Sequence, residues 1–262
     1  MRELYHNAFS TCSQKVRLVL AEKGLEFVSH EIDLLGGGQH DPEYVKLNPN
    51  HVVPTLVDEG DVLTESTLIN EYLDDAYPDP PMRPTGAAAR HASRMWTQKL
   101  DHSVHAATGI VTFAIGPRVA LLQQPEAVRE ANINSIPEPA RRAARRSVIE
   151  HGVGAPEFAG AIKTMVGLLQ EMDVALGNRE WLSGDSFGLA DAALLPYVLR
   201  LDQLAMGPVI EARPHLAEWL GRVQALSAYQ VAVTDWLVAP IVELFRTQGE
   251  EVWSQVEPLT RL

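Results

Sequence analysis

Phe9-Ser10-Thr11-Cys12-Ser13-Gln14-Lys15-Val16-Arg17 follows a short strand-like run, Leu4-Tyr5, and opens a helical pattern in which Val16, Val19 and Leu20 recur at i, i+3 and i+4. Gly24, just after Lys23, is a residue on which a helix can end. The spacing predicts a helix over 13–23, so Ser10, Thr11 and Ser13 carry hydroxyls into a strand-to-helix turn. A helix N-terminus has free N–H groups and a partial positive charge, and both favour an anion, a thiolate included. Ser and Thr are also preferred N-caps, so helix capping explains the same residues.

Outward from this stretch, Phe27–Ile32 reads as a second strand joined to the first through the helix, which implies a parallel pair with a right-handed crossover. The run Leu35-Gly36-Gly37-Gly38-Gln39 is a loop without the glycine spacing of a nucleotide site. Pro42–Leu47 is a short helical segment. Val53–Val57 and Val62–Thr64 flank Asp58-Glu59-Gly60-Asp61 and read as a hairpin. A helix then carries Leu68, Ile69, Tyr72, Leu73 and Ala76 on one side. The order is β-α-β-α-β-β-α. A Pro-rich run, Tyr77 to Pro84, reads as a stiff linker. Beyond it strand signals are scarce, and helices are predicted over 87–122, 139–151, 157–176, 189–204, 213–225 and 227–246. The expected organisation is an α/β domain over 1–78, a linker over 79–85 and an all-α domain over 86–262.

The formal net charge is −12, and residues 1–80 hold five Lys or Arg against fifteen Asp or Glu. An acidic chain without a basic stripe is a poor partner for nucleic acid or an anionic membrane. Cys12 is the single cysteine, so no intrachain disulfide can form, which fits a reducing compartment. MRELYHNAFS lacks the apolar core of a signal peptide, and no apolar run approaches a membrane span; a cytoplasmic protein is expected. No His, Cys or Asp spacing matches a metal-ligand set, so no metal is expected.

Two further motifs bear on chemistry. In Asn48-Pro49-Asn50-His51-Val52-Val53-Pro54-Thr55-Leu56, a proline opens an apolar strand although it lacks the N–H that a ladder needs. A cis Val53–Pro54 bond in a tight turn is one solution, and it would present the N–H and C=O of Val53 to an extended peptide; an edge-strand proline without a ligand is the other. In Thr64-Glu65-Ser66-Thr67, Ser66 is expected to cap the following helix. Alternatively, its hydroxyl and the helix N–H groups bind a ligand carboxylate while Glu65 holds an ammonium.

Ser10-x-x-Ser13-x-Lys15-Val16-Arg17, then Asn48-Pro49-x-x-x-Val53-Pro54-Thr55-Leu56, then Glu65-Ser66 at a helix start, then an all-α domain containing Gly184-Asp185-Ser186-Phe187-Gly188-Leu189-Ala190-Asp191, resembles the cytosolic glutathione transferases. The resemblance implies a thioredoxin-like N-terminal domain, an all-helical C-terminal domain, glutathione as cosubstrate, a small hydrophobic electrophile as the second substrate and usually a homodimer. On this pattern Ser10 matches the catalytic serine of the Ser-type classes. Val53 matches the residue whose backbone pairs with the glutathione cysteine, and Pro54 matches the cis-proline. Glu65 and Ser66 match the γ-glutamyl site. Asp101 would reach the glutathione amine of a second subunit.

The sequence departs from the pattern in two places. Val52 stands where many members carry Gln or Lys, and His51 either replaces that contact or is a solvated loop histidine. Gly188 stands at the usual serine of the helix-capping box, a change of modest cost because glycine is tolerated at an N-cap.

Ser10-Thr11-Cys12-Ser13 resembles the zeta class, which isomerises maleylacetoacetate-like substrates. Asn134-Ser135-Ile136-Pro137-Glu138-Pro139 and the arginines after it, with Trp96, Thr97 and Asp101, resemble the bacterial β-etherases, which displace a phenol from an aryl ether; on that alignment the catalytic hydroxyl is Ser13. Arg141, Arg142, Arg145 and Arg146 are expected on one helix face, either solvated or holding an anion. His102 and His105, with Trp96 and Phe113, are expected to line the electrophile pocket or to pack in the core. Thiol transfer or isomerisation through Cys12 and non-catalytic glutathione binding are the competing readings.

Overall fold

The computed structural model describes residues 1–261. Its N-terminal part runs β1 (Glu3–His6), α1 (Thr11–Glu22), β2 (Val28–Glu31), α2 (Pro42–Leu47), β3 (Thr55–Asp58), β4 (Asp61–Leu63) and α3 (Ser66–Ala76). The sheet order is β2-β1-β3-β4. β1 and β2 are parallel, with Leu4 beside Ser29, while β3 runs antiparallel to both β1 and β4. This is the thioredoxin-like arrangement that the family resemblance implies. Strand β3 begins at Thr55 and not at Val53, because Val53–Pro54 is a cis bond and the proline has no N–H for the ladder.

Helix α1 is buried on every face, and Lys15 and Arg17 are 0% and 1% exposed. The apolar stripe of Val16, Val19 and Leu20 is therefore only part of its contact surface. The helix packs against α3 and against two helices of the C-terminal part, α10 (Leu189–Gln203) and α13 (Ser227–Ala232). The buried Arg17 charge is offset by four hydrogen bonds. Arg17 donates to the carbonyls of Ala232 (2.8 Å), Asn7 and Ala8 and to Nδ1 of His6 (3.1 Å). His6 is fully buried; burial and the Arg17 charge push it down to about 3, so the ring is neutral and accepts at Nδ1. On α3, Ile69 and Leu73 are buried, but Leu68, expected beside them, is 62% exposed.

The remaining chain is helical: α4 (Ala87–Lys99), α5 (His105–Ile115), α6 (Arg118–Gln123), α7 (Glu126–Asn134), α8 (Pro139–His151), α9 (Phe158–Leu176), α10 (Leu189–Gln203), α11 (Gly207–Glu211), α12 (Pro214–Gln224), α13 (Ser227–Ala232) and α14 (Ala239–Val256). The helical stretch expected over 87–122, with a break at Gly116-Pro117, is interrupted at a second place as well. A π-helical turn, Leu100–Val104, separates α4 from α5, and Gly116-Pro117 separates α5 from α6. The segment after Gln124, for which no helix is expected from the sequence, forms α7. The helix expected over 227–246 splits at Thr234–Trp236. The Pro-rich linker is tied down, not merely stiff: Lys23 donates to the carbonyls of Tyr77 and Pro80, and Met82 bridges from Asp74 to Leu189. One continuous apolar core runs from Leu4 and Leu56 to Leu169 and Trp219.

The start of α10 corrects the reading of Gly188. A Cβ on Gly188 would lie 2.4 Å from the carbonyl oxygen of Met82, so a serine has no room there. The missing hydroxyl comes from Ser183, whose Oγ accepts from the N–H of Ala190 at 3.0 Å. Asp191 completes the cap, accepting from the N–H groups of Leu182, Ser183 and Gly188 and from Nε1 of Trp219.

Candidate active site

Ser10 caps α1: its backbone is extended, and its Oγ accepts from the N–H of Ser13 at 3.2 Å. That bond uses a lone pair and leaves the Ser10 proton free to donate. Ser13 is fully buried, and its Oγ accepts from the N–H of Asn7 at 3.2 Å, within the turn. The turn itself is fixed from below, where Arg200 donates to the carbonyl of Phe9.

Across from this turn, the carbonyl of Val52 accepts from Tyr44 Oη (2.6 Å) and Asn48 Nδ2 (3.0 Å). Among the described residues neither the N–H nor the C=O of Val53 has a hydrogen-bond partner. His51 and Glu65 both have positive φ, at 55° and 65°, in a region that costs a non-glycine residue energy. Ser66 is the first residue of α3, and the cap position belongs to Glu65, whose side chain makes no cap bond. Ser66 is thus not the N-cap expected from the sequence. Glu65 Oε1 accepts from Asn50 at 3.5 Å, which links the two loops. Lys15 donates to Thr67 Oγ1 (2.8 Å), and Thr67 donates to Asp101 (3.1 Å), so Asp101 is engaged within its own chain.

The π-helical turn resets the phase of α5 and turns His105 towards α1. Cys12 Sγ lies 3.6 Å from His105 Nδ1, and Tyr197 Oη lies 3.2 Å from the same nitrogen. Burial alone would push the Cys12 thiol up; the charge and hydrogen bond of His105, with Lys15 and the Ser66 hydroxyl, bring it down to about 6. The thiolate in turn raises His105. Alkylation of Cys12 by iodoacetamide, read by mass spectrometry, should therefore be half-maximal near pH 6, and His105→Ala should move the midpoint upward. A wild-type midpoint near the ordinary thiol value of about 8.5 would sink this pairing. The His105 partnership has no local sequence signal, because the two residues are 93 positions apart. His102 is exposed, and Trp96 packs against the core.

The four arginines of α8 do not share one role. Arg142 donates to the carbonyl of Pro137, and Arg146 donates to Glu130 and Asn134. Arg141 and Arg145 turn the other way, into a cleft that also holds Phe113 and His40. Among the described residues no group of three or more His, Cys, Asp or Glu side chains is placed to hold a metal, and no single helix is long and apolar enough to cross a membrane.

Residues 4–81 match the glutathione S-transferase N-terminal domain, and residues 140–222 match the glutathione S-transferase C-terminal domain. Glutathione S-transferase 3 of Zea mays is 30% identical over 237 residues, 88% of this chain and 92% of the maize protein. The chain belongs to the glutathione S-transferase family. Within the family, the crystal structure of the beta-etherase LigF from Sphingobium superposes with a TM-score of 0.81 at 26% identity, covering 89% of this chain and 99% of that one. Maleylacetoacetate isomerase of Dictyostelium discoideum is 39% identical, but over 103 residues, 38% of this chain and 47% of the isomerase.

Proposed function

We propose that the protein is a glutathione transferase in which the Ser10 hydroxyl donates to the glutathione sulfur and favours its thiolate for attack on a small hydrophobic electrophile. The observation that carries this reading is the free proton of Ser10 at the first turn of α1, opposite the unpartnered backbone of Val53. A thiol of pKa about 8.5 is mostly protonated at neutral pH, and a hydroxyl donor beside a helix N-terminus shifts it towards thiolate. Val53, next to cis-Pro54, offers its N–H and C=O to the glutathione cysteine. Ser66 and the first N–H groups of α3 take the γ-glutamyl carboxylate. Glu65 takes its ammonium, with Asp101 of a second subunit beside it. His51 faces the glycyl end.

The closer superposition with a beta-etherase favours aryl ethers as the electrophile class. A homodimer is supported by large exposed apolar side chains on β4, α3 and α4, namely Val62, Leu68 and Met95. A cytoplasmic location fits the single free cysteine. Calorimetric titration with glutathione tests the site: Ser66→Ala should weaken binding several-fold while the far-ultraviolet circular dichroism is unchanged. Unaltered affinity in that variant would remove Ser66 from the site, and no heat of binding in the wild type would overturn the function.

The Cys12–His105 pair supports a second activity, thiol–disulfide exchange, because a thiol held near 6 is a thiolate at neutral pH. In that reading Cys12 attacks a disulfide sulfur and releases the other half as a thiolate, and glutathione then regenerates Cys12.

A further inference from the structure

A cleft lies beside the site, between the loop after β2 and helices α5, α6, α7 and α8. Its body is apolar, with Leu121, Ile133, Ile136 and Ile149 around Phe113. Two of its charged side chains have no partner among the described residues. Arg145 lies over the Phe113 ring, 3.1 Å from the centroid, and among the described residues neither Arg145 nor Arg141 forms an ion pair. Their neighbours Arg142 and Arg146 do find partners, so the lack belongs to the cleft and not to the helix.

Arg145 is half-buried and Arg141 exposed, and a guanidinium partly withdrawn from water without an anion is unfavourable. Burial pushes Arg145 down to about 9 and lowers Arg141, which the Cys12 thiolate and the Glu138 carboxylate partly restore. The Arg141 charge lowers His105 and His40. His40 Nδ1 is also 2.9 Å from His51 Nδ1 in the glutathione loop. Phe113, Ile133 and Ile136 lie between the two segments matched by the family domains.

We propose that the electrophile accepted here is an aromatic compound bearing a carboxylate, held by Arg141 and Arg145 while its ring lies among the apolar side chains of the cleft. The inference rests on the glutathione transferase reading and names the substrate class of that site. Two guanidiniums at i and i+4 suit a planar carboxylate, which each can engage through a pair of N–H donors.

The test is equilibrium binding of a chloronitrobenzoate and of the matching chloronitrobenzamide to the intact protein saturated with S-methylglutathione, followed by chloride release with glutathione. The benzoate should bind roughly 10- to 100-fold tighter than the neutral amide, the range expected of hydrogen bonds to charged groups. Arg141→Gln with Arg145→Gln should remove that preference and leave glutathione affinity within about twofold. Arg141→Gln alone, at the more exposed position, should remove part of it if the double variant fails to fold. Equal binding of benzoate and benzamide by the wild type overturns the proposal. A double variant that loses glutathione affinity as well as benzoate affinity also overturns it, since the arginines would then serve the glutathione carboxylates. Selective benzoate binding without chloride release supports the carboxylate site and counts against the transferase reading.

Discussion

Asp191→Ala should leave no stably folded protein at room temperature. The carboxylate is fully buried at the start of α10 and accepts from three backbone N–H groups and the indole N–H of Trp219. Alanine leaves all four donors without an acceptor in a region that water does not reach. Each orphaned donor costs about 1–3 kcal/mol, more when the lost partner was charged. Even with strong non-additivity, four of them consume most of the ~5–15 kcal/mol that separates a folded domain from its unfolded chain. Asp191→Asn is the milder variant: it keeps the shape but replaces one accepting oxygen by an NH2 aimed at a donor. Urea unfolding followed by circular dichroism should show no native baseline for alanine and a loss of several kcal/mol for asparagine. An alanine midpoint within about 1 kcal/mol of wild type would mean that the cap does not hold the helical domain together.

Ser10→Ala should lower kcat/KM for glutathione conjugation by roughly 10- to 100-fold, from the loss of one hydrogen bond to a charged sulfur worth ~1.5–3 kcal/mol. The apparent pKa of bound glutathione in the rate profile should rise with it. The same substitution removes the α1 N-cap, at about 1 kcal/mol of stability, so thermal unfolding is measured alongside. Ser13→Ala should do the reverse: its oxygen is engaged with the Asn7 N–H inside the protein, so stability falls by about 1 kcal/mol and turnover changes little. If Ser13→Ala gives the large kinetic effect and Ser10→Ala does not, the β-etherase alignment assigns the hydroxyl and the geometry of the free turn misleads. Full rates in both variants would leave the backbone N–H groups at the start of α1 as the activating donors. Cys12→Ala should keep conjugation nearly intact and abolish disulfide exchange.

The parts of this molecule that were legible in the sequence depend on neighbours in the chain. Ser10 at the start of α1, the proline that cannot open a strand and the glycine-centred hairpin each follow from local chemistry. The segments that were not legible depend on contacts made across the fold. Ser183 supplies the hydroxyl missing at Gly188, and only the approach of the Met82 carbonyl explains why glycine is required there. The turn at Leu100–Val104 has a helical sequence; its extra residue is visible only in where it sends His105. The arginines of α8 fit one face by spacing alone, yet Glu130 and Asn134 draw Arg146 one way and leave Arg145 on Phe113. Leu68 has the periodicity of a core residue and lies outside, because a stripe gives the phase of a helix but not the width of the surface that covers it.

The burial of α1 on every side has a consequence for how such a chain can diverge. The N-terminal family domain ends at residue 81, which invites the idea of a front cassette exchanged between relatives. The cassette has no clean edge. Arg17, inside its first helix, closes on the carbonyl of Ala232, 215 positions away, and Lys23 holds the linker from within. A transplanted front half would bring these buried cations against a back half that has not arranged carbonyls to receive them. Innovation is therefore cheaper in the cleft-lining stretch between the two family domains, where α6 and α7 make no extensive contact with the helix that both halves share.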